Sequence, residues 1–475
     1  MKRMLMLLLA FRHTMKLRAL LTITALGASL ATGQATGIAP RPNIILFLSD
    51  DHSADFLGCY GNTAIRTPNM DALARDGMRF TRVFAASPTC SPSRAALYTG
   101  LYPARNGTMG NHTNSRPGLK ALPAYLRALG YRVVLANKAD VRPASVFDFE
   151  ILEAALPKNP AINRRYRGEG LDPAKVDAFL ATHAREHRDQ PLCLVLGDNC
   201  PHVVWEPNRD YDPAALPIPP NMVDTPKTRA ALANYYQDIT TADKHLGAVL
   251  ASVQRHGFAE NTLFIYTSDQ GAEWPHRKWT CYDTGLNVPF IARWPGVIQA
   301  GSTNGALISF VDVTPTFIDT AGGTAVADLD GRSFKDVLLA WKTTFRETIF
   351  ASHTGDGEMN VFPQRAVRDE RFKFILNLHP ERKWTTHFTK VMDIPNSHGD
   401  VYATWLEKAR TDAATARFIA VLEQHTAEEL YDTRSDPYEL DNLAGKPEHA
   451  ARLARLRTVL TRWMTAQGDE GAGKP

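Results

Sequence analysis

Three short runs carry the residue types that could do chemistry: Cys90-Ser91-Pro92-Ser93-Arg94, Asp50-Asp51 and Asp269-Gln270. In the first, Pro92 suits the opening turn of a helix, where its missing N–H costs no hydrogen bond. Ser93 to Tyr98 continues in helix-compatible residues. Cys90 is therefore predicted at a helix N-terminus, where backbone N–H groups and the helix dipole favour an anion. Arg94, one turn on, adds a planar cationic fork suited to sulfate or phosphate oxygens. A buried cysteine before an ordinary helix is the plainer alternative.

Each acidic run follows a continuous apolar stretch, Asn43 to Ser49 and Thr262 to Thr267, as expected of strands buried on both faces. Sites in α/β proteins gather at the carboxyl ends of such strands. Asp50, Asp51, Asp269 and Gln270 are thus expected at one sheet edge. Three carboxylates and an amide carbonyl form an all-oxygen set that suits a hard cation such as Ca²⁺ or Mg²⁺. On its own, Asp-Asp after a strand is more often a turn or a helix cap.

The run at Cys90 matches Cys-x-Pro-x-Arg, and on it the chain resembles the type I sulfatases, the formylglycine-dependent hydrolases. The resemblance implies that a maturation enzyme oxidises Cys90 to formylglycine. Its aldehyde hydrate attacks sulfur, and its second hydroxyl lets sulfate leave without a second attack on sulfur. It also implies Ca²⁺, in preference to Mg²⁺, held by Asp50, Asp51, Asp269 and Gln270 together with residue 90. Gln270 departs from the commoner asparagine.

Lys138, in Asn137-Lys138-Ala139-Asp140, resembles a family lysine that contacts sulfate. The family's neighbouring histidine, which helps release the sulfate, is replaced by Asp140, a residue able to accept the same proton. His202, after Pro201, matches the family's other active-site histidine, at a sulfate oxygen or the leaving group. Lys278 aligns with a second sulfate-binding cation, with His276 and Arg277 as close competitors. With Arg94, these cations answer the charge that builds on sulfate and leaving-group oxygens.

The resemblance runs from Arg41 to about Trp463 and leans toward the heparan N-sulfatases and their bacterial relatives. Supporting stretches are Thr67 to Arg75, Thr225-Pro226, Gly331 to Phe334 and Arg365 to Arg368, whereas Glu429 to Asp432 is common to many sulfatases. The implied activity is hydrolysis of a sulfate ester or sulfamate on a sulfated saccharide. His353, Asp356 and Arg365 are candidate saccharide binders, with solvated loop residues as the alternative. Two rivals stay open: a phosphate or phosphonate ester hydrolase with the same nucleophile, and a non-catalytic sulfoglycan binder.

The scaffold that gathers these residues is legible in the same pattern. A chain of 475 residues is long for one domain. Its 44% hydrophobic and 22% charged residues are ordinary for a globular protein. Helices are expected over Thr67 to Gly77, Leu119 to Gly130 and Thr225 to about His256; strands are expected over Arg132 to Ala136 and Pro191 to Leu196. This alternation indicates an α/β fold with a mostly parallel sheet between helices. The resemblance makes it an alkaline-phosphatase-like large domain over residues 40–345. Residues 346–475 read as a smaller C-terminal α+β subdomain with an antiparallel sheet, its first strands over Thr348 to Ala351, Gln364 to Arg368 and Phe372 to Asn377.

Residues 1–36 hold five basic and no acidic residues, with an apolar run Leu20 to Ala31 and a small-residue exit. That is the pattern of a signal peptide, which predicts a periplasmic or secreted protein. The run is short of the ~20 residues that span a membrane, so no membrane span is expected once the signal is removed. Loss of these residues takes the net charge from +4 to about −1, which argues against nucleic-acid binding by bulk charge. Five cysteines form no disulfide framework in a chain this long. A homodimer stays open.

Overall fold

β1 (Asn43–Ser49) sends Ile44, Leu46 and Leu48 into one core and Ile45 and Phe47 into another. A strand covered on both faces belongs in the middle of a parallel sheet. In the computed structural model, which describes residues 41–158, 169–390 and 400–471, β1 occupies that place. The predicted signal segment lies outside the described residues.

The large sheet runs from β4 (Glu150–Leu152) through β3 (Arg132–Asn137), β5 (Leu192–Gly197) and β1 to β6 (Thr262–Ser268), all parallel. Antiparallel β7 (Asn287–Arg293) follows, then β2 (Met78–Phe84), which also pairs with β8 (Ser302–Asn304) and β9 (Ile308–Ser309). The register pairs Leu48 with Gly197 and Ser49 with Ser268. The strand ends are therefore level, and the residues after β1, β5 and β6 share one edge.

Helices cover both faces. On one, the helix Pro226–Arg255 lays Ala242, Leu246, Val249 and Val253 on the sheet, a spacing of one helical stripe. Its start is the predicted one, with Pro226 in the first turn and Thr225 Oγ1 accepting from the Thr228 N–H at 3.1 Å. On the other face lie the helices Cys90–Thr99 and Val313–Thr320. The helix expected over Leu119 to Gly130 is shorter, Leu122–Ala128, because Ala121 is extended and Pro123 falls in the first turn.

A second sheet is antiparallel in chain order: β10 (Ile349–His353), β11 (Gln364–Arg368), β12 (Phe372–Asn377) and β13 (Glu428–Asp432). The helix Ala450–Gln467 packs Leu453, Leu456, Leu460 and Trp463 against Val367, Phe374 and Leu430. Ile349, Ala351, Ala366 and Ile375 point the other way, into the core of the large sheet. Among the described residues, no helix is long and apolar enough to cross a membrane.

Candidate active site

The level strand ends put the predicted ligands side by side. The Asp269 N–H donates to the Ser49 carbonyl at 3.1 Å, and the Asp51 N–H donates to Asp269 Oδ1 at 3.2 Å. Asp51 is held in the left-handed region (φ +66°), a conformation of the kind that persists only where surroundings impose it. The Tyr235 hydroxyl, donating to the Asp51 carbonyl at 2.7 Å, is one such restraint.

Cys90 opens the helix Cys90–Thr99, all ten residues of which are buried. Its Sγ lies 3.6 Å from Asp50 Oδ1 and 3.5 Å from Gln270 Nε2. Thr89 does not cap the helix with its side chain. The Ser91 N–H donates to Asn111 Oδ1 at 3.1 Å and the Ser93 N–H to the Thr89 carbonyl at 3.0 Å, so these two donors are not available to an anion. Arg94 donates from Nε to Asp269 Oδ2 at 2.8 Å and from Nη1 to the Lys138 carbonyl at 3.1 Å. It thereby ties the helix to the ends of β3 and β6.

Lys138 reaches Asp50 Oδ2 with its ammonium. Its backbone crosses directly over the end of β5, where a Cβ on Gly197 would lie 2.2 Å from the Lys138 carbonyl oxygen; only glycine permits that crossing. Lys278 donates to Asp51 Oδ2 at 2.8 Å and to Glu273 Oε2 at 2.9 Å. Its competitors point elsewhere: His276 Nε2 meets the Tyr438 carbonyl at 2.9 Å, and Arg277 binds Asp55 at 2.7 and 2.8 Å. His202 Nδ1 sits 2.5 Å from the Val203 carbonyl and must donate there. Its Nε2 lies 3.7 Å from Asp51 and 3.6 Å from Glu273.

Asp50, Asp51 and Asp269 are fully buried, and such crowding of like charges is costly without compensating cations. Burial raises Asp51 well above the ordinary carboxylate range, helped by Asp50, Glu273 and Asp269 and opposed by Lys278. Burial and Asp50 push Asp269 up to about 6. Burial would raise Asp50 too, but Lys138, His202 and Arg94 hold it well below its usual value. Burial and Lys278 push His202 down to about 4, so it is neutral near pH 7. Burial also keeps Cys90 protonated, well above the usual thiol range.

The carboxylates of Asp50 and Asp51 and the amide oxygen of Gln270 are the donors here that suit a hard cation. Ligand atoms of Asp50, Asp51, Cys90 and His202 all lie within 4.8 Å of one another. Gln270 Oε1 is buried with no hydrogen-bond partner, an acceptor that needs positive charge or water to satisfy it.

The three candidate saccharide binders separate. Asp356 stands near this cluster's rim, accepting from Asn111 Nδ2 at 3.1 Å. Arg365 is fully buried, with its guanidinium on Asp469 and on the His353 and Gln364 carbonyls. His353 is also fully buried, its Nε2 2.8 Å from the Asn360 carbonyl. Neither offers an exposed head to a sugar, because each lies inside a strand and not on a loop. Sequence reasoning missed Glu273, although it stands between Asp269 and Lys278, and missed Asn111 and His112, which reach the Cys90 helix from a loop with no periodic pattern.

Residues 42–323 match the family described as Sulfatase. The chain belongs to the sulfatase family. Residues 272–408 of this sulfatase also match the family described as N-sulphoglucosamine sulphohydrolase, C-terminal. It is 34% identical over 441 residues to an ulvan-active sulfatase of Formosa agariphila, covering 92% of this chain and 82% of that one. It is 29% identical to human N-sulphoglucosamine sulphohydrolase, covering 90% and 91% of the two chains. A solved structure in complex with its substrate D-glucosamine-2-N,6-O-disulfate matches with a TM-score of 0.67 at 21% identity, over 90% of this chain and 99% of that one. The shared fold is alkaline-phosphatase-like, and this sulfatase is a hydrolase of sulfuric esters.

Proposed function

We propose that this sulfatase removes sulfate ester or sulfamate groups from a sulfated glycan, using residue 90 as formylglycine and Ca²⁺ at the Asp50–Asp51–Asp269–Gln270 cluster. The observation that carries this reading is the setting of Cys90: a buried thiol at a helix start, 3.6 Å from Asp50 and ringed by Lys138, Lys278 and Arg94. A buried, protonated thiol is a weak nucleophile, so the site makes chemical sense once the residue is modified. Formylglycine supplies two hydroxyls on one carbon, and Ca²⁺ supplies a Lewis-acid contact to sulfate oxygens. Asp50, Asp51, Asp269 and Gln270 would hold the ion.

The remaining work belongs to the chain's own side chains. Lys138 and Lys278 bring positive charge from the ends of β3 and β6 to the sulfate oxygens. Glu273 and Asp51 fix the Lys278 ammonium from two sides. Arg94 is locked to Asp269 and orients the helix that presents residue 90. His202, neutral with its proton on Nδ1, stands at the leaving group with Nε2. Export of the protein to the periplasm or beyond is the setting proposed from residues 1–36.

The glycan reading draws on an ulvan-active relative and on an N-sulphoglucosamine sulphohydrolase. It is tested by free-sulfate release from glucosamine N-sulfate, 6-O-sulfate and 3-O-sulfate and from ulvan oligosaccharides. The protein is co-expressed with a formylglycine-generating enzyme, and Cys90→Ala serves as the blank. Release from the N-sulfate alone establishes a sulfamidase; release from an O-sulfate alone establishes an ester sulfatase. Formylglycine confirmed by peptide mass spectrometry without release from any of them would refute the reading.

A further inference from the structure

Hydrolysis of a sulfate ester at neutral pH yields an alcohol, sulfate and one proton, because water supplies one oxygen and two hydrogens. With an ester substrate one proton must therefore leave the site in every turnover, whereas a sulfamate would leave it on the product amine. The chain lacks the histidine that the resemblance places two residues after Lys138 and has Asp140 there.

Asp140 is held in place from three directions. Its Oδ1 accepts from Ser91 Oγ at 3.1 Å and lies 3.4 Å from His112 Nδ1. Its Oδ2 is buried without a hydrogen-bond partner, 3.9 Å from Lys138 Nζ. That orphaned oxygen, one residue beyond the neighbour of a sulfate-binding lysine, is a proton acceptor waiting for a donor.

His112 connects this acceptor to solvent. The Ser91 side chain also accepts from the His112 N–H at 3.1 Å, so the imidazole is anchored next to residue 90. Its second nitrogen, Nε2, is 3.9 Å from Asp356 Oδ1 and 3.2 Å from Asn111 Nδ2. The His112 side chain is 56% exposed while those of Asp140 and Asp356 are 12% and 15% exposed, so of the three only the imidazole opens widely to water. Both His112 (φ +57°) and Asp140 (φ +48°) adopt left-handed backbone, a placement sustained by surrounding contacts.

We propose that Asp140 and His112 together form the proton exit of this sulfatase, Asp140 taking the proton within the site and His112 passing it to water. The inference rests on the sulfatase reading of Cys90. The proton moves from the site to Asp140 and from Asp140 to His112 Nδ1, with the neutral ring in the tautomer that carries its proton on Nε2; the imidazolium then gives the Nε2 proton to water at its exposed edge, and no electrons are exchanged. The charged groups facing His112 are Asp140 and Asp356, with Lys138 behind Asp140. The Asp140 contact comes first among the influences that raise His112 above its ordinary value, against the opposing effect of burial. Burial works the other way, yet Lys138 and His112 bring Asp140 down to about 2, so it rests ionised and a proton that reaches it moves on and does not stay. His112 is a positioning residue here, since it acts through Asp140.

The test uses the matured full-length protein. H112A is expected to lower kcat for sulfate release about 10- to 100-fold with KM changed less than about twofold, and added imidazole is expected to restore part of that kcat. H112A/D140H is expected to regain turnover without imidazole. Wild-type kcat in H112A, or a loss that neither imidazole nor D140H repairs, would overturn the proposal. Independently of turnover, His112 in ¹⁵N-histidine-labelled C90A protein is expected to titrate at lower pH when D140N is added. Identical titration in the two proteins would overturn the pairing. A wild type that carries formylglycine yet releases no sulfate would sink the sulfatase reading instead, and the titration still judges the pair.

Discussion

Two clusters of ligand-type residues lie at the same sheet edge, and they behave in opposite ways. One is the Cys90 cluster at the ends of β1 and β6; the other is Asp198, Cys200 and His245, just past β5. Both are buried and both bring carboxylate, sulfur and imidazole atoms together. In the second, Asp198 Oδ1 accepts from the Leu171 and Cys200 N–H groups at 3.0 and 3.2 Å, and Oδ2 meets His245 Nδ1 at 2.7 Å. Every polar atom of that carboxylate is matched. In the first, Lys138, Lys278 and Arg94 each take one of the three carboxylates, yet Gln270 Oε1 lacks a partner. Residue types alone do not separate a fastening from a reactive site; unfinished hydrogen bonding does.

The sharpest contrast is chemical. Cys90→Ala should abolish sulfate release, by at least about 10³-fold, while Asp198→Asn should leave kcat/KM of the folded protein within about twofold. Equal losses in both would erase the distinction between the clusters.

Stability should respond the other way round. His245→Ala leaves Asp198 buried without its partner, a change worth about 3 kcal/mol or more in urea denaturation. That contribution has a pH window. Burial works against the charge on both partners, yet their contact lowers Asp198 below its ordinary 3.8 and raises His245 above its ordinary 6.5. The carboxylate's share is complete above about pH 4 and lost as pH falls through its lowered value; the imidazole's share is complete below about pH 6.5 and lost as pH rises through its raised value. The gap between wild type and His245→Ala should thus be widest near pH 5 to 6 and narrow above pH 7.

Metal should touch only the first cluster. Adding Ca²⁺ to chelator-treated protein at a hundredfold excess over Kd should stabilise it by about 2.7 kcal/mol, read as a rise in Tm. Asp269→Asn should lose the rise and Asp198→Asn should keep it. The smallest effect concerns Arg365: Arg365→Lys should cost about 2 kcal/mol through the buried Asp469 pair and leave KM unchanged, which no saccharide-binding residue would do.

The sheet edge was legible because its signals are local. Apolar runs ending in Asp50-Asp51 and Asp269-Gln270 declare buried strands and the groups at their carboxyl ends, and the spacing of Cys90, Pro92 and Arg94 sits within one turn and a half of helix. Lys138 and Lys278 were named by the resemblance to the sulfatases and not by a local pattern. Arg365 and His353 misled because burial and pairing depend on distant chain: Asp469 lies 104 residues from Arg365. His112 escaped notice likewise, since its meaning comes from Asp140 and Asp356, brought to it from two other parts of the chain.

The helix Cys90–Thr99 has a consequence in time as well as in space. Residue 90 is 2% exposed in a helix without a single exposed position, so no second enzyme can close its own catalytic groups around that thiol in the finished protein. The conversion of Cys90 proposed above must therefore precede burial of this helix. On the proposed reading, a molecule that folds with this thiol unconverted lacks its nucleophile.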